Sequence, residues 1–192
     1  MDVESMKLLC YHAIGGGILV QKRIICICLI VSVGLVLSGC FPMAARILDT
    51  DSIGEAKTFE KYGIKITLTD KFTEKQSEMG FDAYYVSSFC GVMVLKEEFY
   101  LREGLAELSL EEYVTHVIKN NGHTDIDPQT KDGLWFYVVN KDQARCYSYS
   151  FKGPDAFWIV QFACRASDVP ELEEMFFLWA KSVEFEQLHS AV

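Results

Sequence analysis

The chain has 192 residues and a mass of 21.8 kDa; 50 % of its residues are apolar, 13 % aromatic and 23 % charged. That composition excludes a disordered or low-complexity polymer and is enough for one sizeable core. With 18 Lys and Arg against 27 Asp and Glu the net charge is −9, which repels a phosphate backbone and argues against a nucleic-acid partner.

The apolar residues are unevenly placed. Ile24 to Val36 is an uncharged run directly after Lys22 and Arg23, and Leu37-Ser38-Gly39-Cys40 follows. A basic start, an apolar stretch, small residues and a cleavage point are the order of a secretory signal. Leu37-Ser38-Gly39-Cys40 resembles the lipobox of bacterial lipoproteins. That resemblance implies a diacylglycerol on the Cys40 thiol and cleavage between Gly39 and Cys40. Residues 1–39 are therefore expected to be a signal peptide. Residues 1–19 fit it poorly, since they carry Asp2, Glu4 and His12. Gly15-Gly16-Gly17 reads as a translated ribosome-binding site, which points to a start at Val20 through a GTG codon. The remaining residues 40–192 hold 15 basic and 25 acidic side chains, so lipid rather than charge must hold them to a membrane.

Residues 40–58 show no sustained period and read as a lipid-anchored tether. Residues 59–192 then form one domain. Ile64, Ile66 and Leu68 alternate with polar residues, predicting a half-buried strand over 62–69. Further strands are expected over 82–88 and 91–98. Ser109-Leu-Glu-Glu112 is a capping box that opens a helix ending at Asn120-Asn121-Gly122. Three strands follow over 133–140, 144–151 and 156–165, the last two joined through Lys152-Gly-Pro-Asp155. Asp168, Pro170 and Glu171 start a second helix, with Leu172, Met175, Phe176, Trp179 and Val183 on its apolar face. Residues 134–139 and 157–164 are apolar on both faces, so both are expected at the centre of a covered sheet. The sum is an α+β domain: an antiparallel sheet of about six strands with helices on its faces.

Four segments carry a family resemblance: Phe59 to Phe72, Ser109 to Tyr113, the paired strands after 133, and Phe177 to Phe185. Together they resemble the PsbP-like, DcrB-like α/β/α sandwich of bacterial lipoproteins and photosystem II extrinsic subunits. The resemblance implies a non-catalytic binding or assembly scaffold and supplies no functional residue.

Chemistry-bearing motifs are sparse. Cys90, Cys146 and Cys164 sit in apolar strands, are odd in number and form no Cys-x-x-Cys, so they are read as small buried hydrophobes rather than a disulfide framework or a zinc site. His123, Asp125 and Asp127 alternate in a loop and are the one weak metal candidate; a solvated loop is the plainer reading. His116 is expected at a core–solvent boundary. The pairs Glu97/Glu98, Glu111/Glu112 and Glu173/Glu174 diverge in direction and cannot act on one bond. No cofactor motif, nucleophile elbow or phosphate loop follows Cys40. A Tyr-rich set (Tyr84, Tyr85, Phe99, Tyr100, Tyr147, Tyr149) is either sheet–helix filling or a peptide- or glycan-holding patch. The expected function is a lipid-anchored, extracytoplasmic, non-enzymatic lipoprotein that binds an envelope protein partner. The alternative is a solute-binding lipoprotein serving a transporter.

Overall fold

The computed structural model describes residues 53–76, 80–141 and 143–186. In chain order these form β1 (Ala56–Lys61), β2 (Ile64–Thr69), β3 (Thr73–Glu74), β4 (Ala83–Val86), β5 (Cys90–Glu98), α1 (Leu110–Asn120), β6 (Gln129–Lys131), β7 (Leu134–Lys141), β8 (Ala144–Lys152), β9 (Ala156–Arg165), α2 (Val169–Lys181) and β10 (Glu184–Phe185). A seven-stranded antiparallel sheet runs β3-β4-β5-β9-β8-β7-β6, and a second sheet runs β1-β2-β10. The expected lipobox, the expected signal segment and most of the expected tether lie outside the described residues. The last three residues read as tether, Ala56 to Thr58, are the start of β1.

The large sheet is the middle layer, and side-chain alternation sends each strand's residues to two separate cores. On one face Trp158, Val160 and Phe162 of β9 meet Leu172, Phe176 and Trp179 of α2 and Ile64, Ile66 and Leu68 of β2. On the other face Phe157 and Ile159 meet Tyr113 of α1, with the Phe157 and Tyr113 rings stacked 4.0 Å apart. β9 is buried from Ala156 to Cys164, which is why it carries no polar alternation. The one polar side chain among those residues, Gln161, donates to Ser148 Oγ directly across on β8.

Three expectations change. Residues 64–69 belong to the small sheet, because Ile64, Ile66 and Leu68 cover the large sheet instead of extending it. Residues 134–139 are not central: β7 is next to the edge, flanked by the short β6, and Leu134, Phe136 and Val138 are only half-buried. Asp168 does not cap α2 through its side chain. Its carboxylate instead accepts from Arg165 Nε at 2.8 Å and Ser167 Oγ at 2.9 Å. The capping box of α1 is present in both arms.

Candidate functional site

β1 and β2 are joined by only two residues, Tyr62 and Gly63, with φ of 53° and 89°. A type I′ two-residue hairpin, whose twist matches its strands, requires positive φ at both central positions, which is why Asn-Gly and Asp-Gly dominate there. The chain uses Asp132-Gly133, at 48° and 82°, to join β6 and β7. A tyrosine in the same place costs roughly 1–2 kcal/mol of backbone strain. Its ring is not repaid by burial, being 64 % exposed.

Tyr62 stands at the mouth of a cleft of about 580 Å³, whose lining includes Trp158, Phe185, Lys96, Asp155 and Glu186. Trp158, only 1 % exposed, lies beneath it. Phe185 packs 5.8 Å from its ring and is held there by β10, which pairs with Ile64 and Lys65 of β2. The Glu186 N–H donates to the Gly63 carbonyl and extends that wall. Lys96 lies opposite Trp158 in the β5–β9 register, and its ammonium sits 5.2 Å from the indole centroid. Lys96 pairs with Asp155 at 2.7 Å and Glu98 at 3.4 Å. Desolvation pulls this ammonium down, but Asp155 and Glu98 outweigh it and leave its pKa raised. Glu98 also accepts from the exposed Tyr100 hydroxyl. At the rim Glu186 and Lys65 hydrogen-bond to Glu60 and hold its carboxyl below the usual range.

The Trp158 indole N–H is buried and makes no hydrogen bond. The indole fits because position 153 is glycine: a Cβ there would lie 2.9 Å from Nε1 and 3.2 Å from Cδ1. The exposed Tyr62 ring beside charged groups of both signs suits a ligand that has apolar and polar faces. The lining holds no Ser, Cys or His.

The residues singled out from the sequence fall elsewhere. Tyr84, Tyr85, Tyr147 and Tyr149 are buried in the cores, Phe99 is half-buried, and only Tyr100 is open to solvent. His123 packs 6.5 Å from the Tyr137 ring, while Asp125 and Asp127 are exposed. Among the described residues no group of three or more His, Cys, Asp or Glu is arranged to hold a metal. His116 is exposed rather than at a boundary. Sequence reasoning missed Tyr62 and Phe185. The signal available for Tyr62 was Tyr-Gly between two alternating runs, an uncommon hairpin pair.

No family model and no curated protein matches the chain. The solution structure of the cyanobacterial PsbP protein CyanoP from Synechocystis sp. PCC 6803 superposes with a TM-score of 0.50 and 11 % identity, covering 78 % of this chain and 99 % of that one. The domain has the PsbP fold. The crystal structure of the Saccharomyces cerevisiae Ran-binding protein Mog1p is also similar, with a TM-score of 0.45 and 14 % identity over 69 % of this chain and 96 % of that one. The PsbP fold accounts for the layers described above; the Tyr62–Trp158 cleft is built from this chain's own residues.

Proposed function

We propose that the chain is a lipid-anchored, extracytoplasmic lipoprotein whose PsbP-fold domain is a non-catalytic binding or assembly module, and that a partner engages it at the Tyr62–Trp158 cleft. The observation that carries the cleft is Tyr62. A solvent-exposed aromatic kept in a left-handed turn position, where Asn or Asp is unstrained, is a stability cost that binding explains. The anchor rests on Leu37-Ser38-Gly39-Cys40. Among the described residues no helix is long and apolar enough to cross a membrane. Ala56 begins β1, and Tyr62 follows its other end.

Both parts are testable. Cys40→Ala is expected to abolish incorporation of a palmitate analogue and to leave the leader uncleaved; a variant that still takes label and runs at mature size refutes the lipid site. Tyr62→Gly is expected to raise stability by about 1 kcal/mol, since it relieves the turn, and at the same time to lose the protein captured by mild crosslinking of intact cells. Unchanged capture by a stabilised Tyr62→Gly chain rejects the cleft as the contact. The second reading, a solute receptor for a transporter, draws on the cleft's volume. It predicts that the melting point rises with a small solute and that crosslinking finds a permease.

A further inference from the structure

β5 and β9 are neighbours at the centre of the large sheet, and their register sets Cys90 directly opposite Cys164. The class of this cross-strand position follows from the backbone. The Cys90 carbonyl accepts from the Ser87 N–H at 2.9 Å and from the Ser87 hydroxyl at 3.1 Å, and the Cys90 N–H donates to Ser87 Oγ at 3.0 Å. Both backbone groups of Cys90 thus point to the β4 side, away from β9. In an antiparallel ladder a residue's N–H and C=O point the same way, so Cys90 and Cys164 are a non-hydrogen-bonded pair. That is the closer class, with Cα atoms about 4.5 Å apart and Cβ atoms at the near end of 4.5–5.5 Å. A disulfide asks for Cα atoms about 4.4–6.8 Å apart and Cβ atoms about 3.5–4.5 Å apart. The pair meets the first condition and needs only a small closing motion for the second.

Both side chains lie in the core shared with α2, whereas Cys146 faces the opposite core. All three are buried, and none is in a disulfide. Burial first, and then each other's proximity, pushes the Cys90 thiol well up. Burial likewise raises Cys164 to about 12. The closed sheet therefore holds both as thiols. Cys90 is the first residue of β5, beside a turn with exposed Ser88, and Cys164 is the last but one of β9. Local opening of that end of the sheet, rather than global unfolding, is what would admit a small reagent.

We propose that Cys90 and Cys164 are a modification site: they form a cross-strand disulfide when the folded domain meets a small-molecule disulfide such as oxidised glutathione. One protein thiolate attacks a sulfur of the reagent, breaks its S–S bond and releases one reduced glutathione. The second thiolate attacks the protein sulfur of that mixed disulfide and releases the other. The two protons leave with the two glutathione thiols; the protein is oxidised by two electrons and the reagent reduced by two. The bond ties the ends of the two central strands, a clamp independent of the cleft and of the anchor.

The test uses the full chain in mild detergent, incubated with oxidised glutathione, alkylated, digested with trypsin and mapped by mass spectrometry. The expected product is a Cys90–Cys164 linked peptide, formed while the native circular dichroism is retained and still formed by Cys146→Ser. Recovery of Cys90 and Cys164 as separately alkylated peptides overturns the proposal. So does a link from either to Cys146, or a Cys90–Cys164 link that forms only in urea.

Discussion

Trp179 illustrates how one side chain ties three elements. It is 4 % exposed and stands edge-on to Phe72 at 5.3 Å, with Phe162 and Phe176 each 5.9 Å away. Phe162 is on the central strand and Phe72 closes the small sheet's end of the core, so the indole fills the junction of α2 with both sheets. A role as a surface anchor for a partner is incompatible with that burial. Trp179→Ala is expected to cost about 3–5 kcal/mol, because a rigid aromatic cluster cannot collapse into the void. Denaturant midpoints of the wild type and the variant measure it; a loss below about 1 kcal/mol would mean that the helix repacks.

The two helices begin differently, and their first residues should respond differently to substitution. Ser109 accepts from the Glu112 N–H at 3.2 Å, and Glu112 Oε2 accepts from the Ser109 N–H at 2.8 Å. The Ser109 hydroxyl and N–H together hold the Glu112 carboxyl below its usual range. Ser109→Ala is expected to cost about 1 kcal/mol, while Ser109→Asp, which keeps an acceptor at the cap, recovers most of it. Equal losses in both variants, read from urea midpoints, would show that the capping geometry is not what stabilises α1. At α2 the helix start is set by Pro170 in the first turn and by Val169, which is buried in the core.

Across the molecule, the layered cores bury phenols and thiols on both faces of one sheet. Burial raises Tyr85 to about 12 from an ordinary 10.0; it also raises Tyr149 and Tyr113, the latter helped by Glu97. Cys90 and Cys164 are raised from an ordinary 9.0. A group whose folded pKa exceeds its unfolded pKa binds its proton more tightly when folded. Its contribution is full below the unfolded value and is lost as pH rises toward the folded one. Stability is therefore expected to be level at neutral pH and to fall from about pH 9 to about pH 12, the thiols setting the start and the phenols the steepest part. Denaturant midpoints across that range, read beside tyrosinate absorbance, are the check. The buried phenols should ionise together with unfolding; tyrosinate formed near pH 10 with the fold intact, beyond what the exposed tyrosines such as Tyr62 and Tyr100 supply, would contradict the burial described here.

Period and capping made β2, β5, β8, β9 and both helices legible in the sequence, because those signals are local: alternation, helical spacing and a Ser-x-x-Glu start depend on residues a few positions apart. The double apolar face of residues 157–164 foretold a central strand because two covered faces leave no room for polar alternation. The same pattern in residues 134–139 misled, since Leu134, Phe136 and Val138 earn their apolarity by packing beside a core and not within it. What the tertiary structure alone decided are contacts between distant segments. Which face of β9 meets α2, the seat of β2 above the large sheet, the Cys90–Cys164 register and the cleft joining Tyr62 to Trp158 and Phe185 all depend on strand pairing and layer order. These are set by the simultaneous burial of many side chains, a condition that no single window of residues contains.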